Sequence, residues 1–91
     1  MLYVVSYDVT EDPQRRRVFE ALKDFGRRVQ YSVFECEMDE KGLGELRERL
    51  ETEIDPATDS CRIYRLCENC AEGVLIIGRG DRYSEPGHVI V

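Results

Sequence analysis

The sequence predicts an α+β sandwich in which two helices cover one face of an antiparallel sheet. Three observations carry this: a continuous β-prone opening run, two amphipathic segments with apolar residues at helical spacing, and between them an alternating stretch whose phase changes once. With 91 residues the chain fits one domain, taken as 1–91 with a core of about 1–66 and an extension of about 67–91. A domain this small buries only about 60 to 65% of its unfolded surface, so a second copy would add to a thin stability margin.

Leu2-Tyr3-Val4-Val5-Ser6-Tyr7 reads as a strand buried on both faces at the middle of the sheet, with Asp8 at its C-terminal end. Asp12-Pro13 supplies a helix start, the carboxylate able to cap free N–H groups and the proline suited to the first helical position. The helix is expected over about Pro13 to Phe25. Val18, Phe19, Leu22 and Phe25 form its buried stripe, and Gly26 suits a left-handed stop.

From Val29 to Met38 apolar residues alternate, but Val29, Tyr31 and Val33 keep one parity and Phe34, Cys36 and Met38 the other. A one-residue slip exchanges sheet faces, so the segment is read as two short strands broken near Ser32. Leu43, Leu46, Leu50 and Ile54 mark a second helix whose other faces carry Glu45, Glu48, Glu51 and Glu53. A loop at 55–59 leads to a last core strand, Ser60 to Leu66. The order βαββαβ indicates a ferredoxin-like sandwich. Beyond it, Val74-Leu75-Ile76-Ile77 is expected as an additional strand, and Val89-Ile90-Val91 as an apolar end that pairs with a sheet edge, preferably that of a twin chain.

Apolar residues at 42% and charged residues at 35% suit a folded domain. No apolar run is long enough to span a bilayer, and the opening strand pattern has no basic n-region or cleavage site, so a cytoplasmic protein without a membrane partner is expected. The net charge of −6 opposes phosphate binding by the whole surface. Its distribution is uneven: residues 1–30 balance at +1, residues 31–59 at −7 and residues 60–91 at zero. The locally basic part holds Arg15, Arg16, Arg17, Arg27 and Arg28, which form either a solvated face or a phosphate contact.

Asp8 is the leading candidate for chemistry, because a strand-end side chain projects from a rigid element. It either caps the Thr10 to Pro13 turn or, with a two-fold axis near the rim, meets a second Asp8 around Mg²⁺ completed by water and substrate phosphate. Tyr7 and Ser32 are placed for polar support. Cys67-Glu68-Asn69-Cys70 has C-x-x-C spacing, but there is no second pair for structural zinc, and redox motifs of this type open helices whereas this one is expected to precede a strand. Without a signal peptide Cys36, Cys61, Cys67 and Cys70 are read as free thiols, and zinc stays open to the C-x-x-C pair only through His88 or a dimer. Gly78-Arg79-Gly80-Asp81-Arg82 reads as a surface turn, and His88, in the tail, as no general base. No Ser-His-Asp order, phosphate loop or dinucleotide fingerprint occurs.

The opening Leu2-Tyr3-Val4-Val5-Ser6-Tyr7-Asp8-Val9-Thr10, the arginine-rich first helix, Val29-Gln30-Tyr31-Ser32-Val33-Phe34-Glu35 and Ile63-Tyr64-Arg65-Leu66 occur in an order specific to one family. In these the sequence resembles the small CRISPR-associated protein of the adaptation complex, second in that nomenclature. The resemblance implies a ferredoxin-like homodimer with Mg²⁺, or Mn²⁺ in its place, at Asp8 on the two-fold axis. It further implies endonuclease activity on RNA or DNA and a place beside the CRISPR integrase in spacer acquisition. It implies contact of Arg15, Arg16, Arg17, Arg27 and Arg28 with the nucleic-acid backbone. A noncatalytic DNA-binding scaffold of the integration complex is the alternative role.

Overall fold

The computed structural model describes residues 1–80; Val89-Ile90-Val91, His88, Asp81 and Arg82 lie outside the described residues. The elements are β1 (Leu2–Asp8), α1 (Asp12–Lys23), β2 (Gly26–Gln30), β3 (Val33–Glu37), α2 (Glu40–Glu53), β4 (Ser60–Leu66) and α3 (Glu68–Glu72). The sheet has the order β2-β3-β1-β4, with β1 antiparallel to both β3 and β4. That is the ferredoxin-like arrangement the element order called for.

Strand alternation divides the sheet into two unlike faces. Val5 stands opposite Phe34 and Ile63, and Tyr7 opposite Cys61, so these side chains share the face that meets Val18, Leu22, Leu46 and Leu50 of the helices. Phe34, Leu22, Leu46, Val5 and Val18 are fully buried there. Val4, Ser6, Asp8, Val33, Glu35, Arg62 and Tyr64 belong by the same register to the opposite face. Neither α1 nor α2 packs on that side.

The break near Ser32 is real and has two parts. Tyr31 and Ser32 form the turn between β2 and β3, and the register slips between Arg28 and Gln30, placing Val29 in a bulge. The two phases of apolar residues thus belong to different strands.

Four local expectations are corrected. The N-cap of α1 is Glu11, which makes no side-chain capping bond, and Asp12 lies inside the first turn beneath the proline. The helix ends at Lys23, short of Phe25, through a right-handed C-cap at Asp24. Gly26 is not a left-handed stop, since positive φ occurs among the described residues only at Gly78 and Gly80. Its role is close approach: an added Cβ would lie 2.1 Å from the Glu35 carbonyl oxygen and 2.7 Å from Cys36 Sγ. Gly26→Ala should push β2 off β3 and lower stability by about 1–3 kcal/mol, read as a fall in the denaturation midpoint. Finally, Val74–Ile77 forms no strand; a short helix, α3, occupies 68–72, and Leu75 and Ile77 are 87% and 95% exposed.

Candidate functional site at one rim of the sheet

The C-terminal end of β1, the start of α1, the β2–β3 turn and the start of β4 all meet at one rim. The Tyr7 N–H donates to the Ser32 carbonyl at 3.1 Å, and Asp8 stands opposite Ser60 in the β1–β4 ladder. Central position in the sheet makes this rim rigid, because β1 is hydrogen-bonded on both sides.

Asp8 is exposed on the helix-free side, and its carboxylate has no hydrogen-bond or ion-pair partner among the described residues. The capping role open to it in the sequence is taken by another residue. Asp59 Oδ1 accepts the Thr10 N–H at 2.9 Å, and its Oδ2 accepts the Asp55 N–H at 3.0 Å. The Thr10 and Asp55 backbone bonds hold the Asp59 carboxyl below its ordinary range, so it remains an acceptor at neutral pH. Asp8 is therefore held rigidly by its backbone while its side chain stays unengaged. Among the described residues no three His, Cys, Asp or Glu side chains gather into a metal-binding group. One unengaged carboxylate fits a hydrated divalent cation that takes its other oxygens from water, phosphate or a second carboxylate, and does not fit a closed protein cage.

On the helix side of the same rim lies a groove of about 740 Å³ lined by Arg15, Arg16, Arg17, Arg28, Tyr7, Phe19 and Tyr31, with Asp12 and Pro13. Each arginine is held differently. Arg15 donates to the Val9 carbonyl at 3.2 Å and pairs with Asp12, which fixes it on the turn just past Asp8. Arg17 pairs with Glu53 of α2 at 2.6 Å. Arg28 lies over the Phe19 ring at 5.2 Å, where the guanidinium gains from the ring's negative face and keeps its donors outward. Arg16 is exposed on α1. Planar guanidinium groups around an open groove suit bidentate contact with phosphate oxygens.

Of the five arginines singled out in the sequence, the structure brings four together and sets one apart. Arg27 stands opposite Glu35, and Arg28 opposite Phe34, so the two point to opposite faces. Arg27 accordingly lies on the Asp8 side of the sheet. Tyr7 and Asp8 are likewise split by alternation: the Tyr7 ring packs 6.3 Å from that of Phe34, its phenol pushed up by burial against the opposing pull of Arg28 and Arg15. Tyr7 thus serves the groove as a neutral hydroxyl and does not support Asp8. Ser32 contributes its backbone carbonyl. Tyr31, 77% exposed at the turn and lining the groove, was not singled out in the sequence; an aromatic beside a strand break with arginines upstream was the available signal.

A ferredoxin-like sheet that presents a free strand-end carboxylate and a guanidinium groove on opposite sides of one rim defines a small α+β protein with one strongly polar rim. The chain belongs to the CRISPR associated protein Cas2 family, whose model matches residues 1–74. It is 42% identical over 91 residues to the CRISPR-associated endoribonuclease Cas2 3 of Chloroflexus aurantiacus, covering 100% of this chain and 98% of that one. The crystal structure of Streptococcus pyogenes Cas2 at pH 6.5 superposes with a TM-score of 0.75 at 36% identity, over 86% of this chain and 100% of that one. A chain of a partial Cas6-RT-Cas1–Cas2 complex shares the fold at a TM-score of 0.75 and 24% identity, over 99% and 97% of the two chains.

Proposed function

We propose that the protein is a CRISPR-associated, Mg²⁺-dependent endonuclease that cleaves RNA or DNA phosphodiesters as a homodimer and takes part in spacer acquisition with the CRISPR integrase. The observation that carries the reading is the free Asp8 carboxylate on the uncovered sheet face. Packing that face on its twin around a two-fold axis would bury Val4, Val33 and Tyr64 and bring both Asp8 side chains toward the axis. The apolar Val74–Ile77 segment and the unpaired outer edge of β4 give the same dimer a second contact, by strand addition.

In this dimer the two Asp8 carboxylates would hold Mg²⁺, or Mn²⁺ in its place, and the ion would supply Lewis-acid chemistry toward phosphate and water. Arg15, Arg16 and Arg28 bind the backbone phosphates on either side of the scissile bond, and Arg17 does so in exchange for Glu53. The acidic faces of α2 confine attraction of nucleic acid to the rim. Labelled RNA or duplex DNA should be cut in Mg²⁺, remain intact in EDTA, and be cut again when Mg²⁺ or Mn²⁺ is restored; cleavage persisting in EDTA would defeat the metal-dependent reading.

One observation favours a second role, a noncatalytic DNA-binding scaffold of the integration complex. One unengaged carboxylate at the rim is a sparse donor set among the described residues, whereas the groove gathers four arginines of one chain.

A further inference from the structure

We propose that Cys67 and Cys70 are an oxidative modification site: a hydroperoxide oxidises the Cys67 thiolate to a sulfenic acid, and the Cys70 thiol resolves it to an intrachain disulfide. At the C-terminal end of the core the C-x-x-C segment opens a helical turn and does not lead into a strand.

Within that turn the two side chains are brought together. The Cys70 N–H donates to Cys67 Sγ at 3.4 Å, which fixes the two cysteines on one turn. Both residues are exposed, so an oxidant reaches them without any opening of the fold. Spacing of three residues across a helical turn keeps the backbones near enough for a disulfide to close with a local adjustment.

The two thiols are not equivalent. Donation by the Cys70 backbone and then by its thiol stabilises negative charge on Cys67, lowering its pKa, while the hydrogen bond to Cys67 and the charge there raise that of Cys70. Cys67 is thus the attacking sulfur and Cys70 the resolving one. The remaining cysteines offer a contrast within the same molecule. Burial pushes the thiols of both Cys36 and Cys61 up to about 11, and Cys36 is wholly enclosed. They stay protonated and sheltered at neutral pH.

The chemistry balances in two displacements. The Cys67 thiolate attacks one peroxide oxygen, the O–O bond breaks, and the departing alkoxide or hydroxide takes a proton to leave as alcohol or water. The Cys70 thiol then loses its proton as its sulfur attacks the Cys67 sulfenyl sulfur; the S–O bond breaks and water leaves. Two thiols have given up two electrons to one peroxide. The new bond staples the turn from which Val74–Ile77 departs.

The test uses the reduced full-length protein, treated with hydrogen peroxide, digested and weighed. The peptide carrying both cysteines should lose about 2 Da, one disulfide's worth of hydrogen, and regain it in dithiothreitol, with Cys36 and Cys61 still reduced. In a companion experiment Cys70→Ser should trap a sulfenic acid at Cys67 that dimedone labels at least about tenfold faster than it labels Cys70 in Cys67→Ser. Equal labelling of the two, prior oxidation of Cys36 or Cys61, or cross-linked dimers in place of the intrachain loop would overturn the assignment. The mass measurement on the unsubstituted protein stands even if a variant folds poorly.

Discussion

Asp8→Asn should reduce cleavage by about 10²- to 10³-fold while leaving the fold and nucleic-acid binding in place. A metal ion acting as a Lewis acid supplies several kcal/mol of transition-state stabilisation, and each 1.4 kcal/mol or so is a factor of ten in rate. Asparagine keeps the size of the side chain and removes the charge that attracts the cation. The stability cost should stay within about 0.5 kcal/mol, because the Asp8 side chain is exposed and unpartnered and its ladder bonds to Ser60 are made by the backbone. Turnover of labelled RNA and duplex DNA, together with a binding isotherm on the same substrates, separates the effects. Full activity in the variant would refute the role given to Asp8. A spacer-integration assay on the same variant distinguishes the two proposed roles: a scaffold retains integration without the carboxylate, whereas a required nuclease does not.

Phe34→Ala should give the largest loss of stability of any single truncation in the sheet, about 3–5 kcal/mol. Phe34 is completely buried, with Tyr7 on one side and the edge of the Phe19 ring on the other at 5.6 Å. A domain of this size has about 5–15 kcal/mol to lose, and each kcal/mol corresponds to roughly 4–8 °C in melting temperature. A fall of about 12 °C or more is therefore expected by calorimetry, and a change under about 4 °C would contradict the central place given to this ring. The same cavity withdraws support from Tyr7 and Phe19, two walls of the arginine groove. Phosphate affinity should weaken even where the variant remains folded.

These two positions also mark how far the sequence reaches. Phe34 was legible as one phase of an alternating run, and the phase change near Ser32 correctly separated β2 from β3, because period-two patterning is a local property of the chain. What Gly26 does was not legible. The want of a Cβ there is set by the Glu35 carbonyl across the β2–β3 pair, a neighbour that only tertiary register supplies. At the site, Asp8 stood out as a strand-end carboxylate, but the choice between cap and free ligand depended on Asp59, which arrives from the far end of the α2–β4 loop to take the Thr10 N–H. Arginines 27 and 28 read as one patch in sequence and separate in space, since neighbours on a strand face opposite ways. The helical turn at 68–72 was obscured by the apolar run after it, which suggested a strand beginning too early.

The position of β1 has a consequence for how the chain folds as it is made. Its two neighbours are β3 and β4, and Leu2 is paired at once with Glu37 and with Leu66. The first strand to emerge during synthesis must therefore wait for nearly the whole core before both its edges are satisfied. Such pairing between distant segments carries a high loop-closure cost and slows folding relative to local contacts. Until then a run of Leu, Tyr and Val stands open on both sides, the kind of surface that nascent chains lose to aggregation or hand to chaperones.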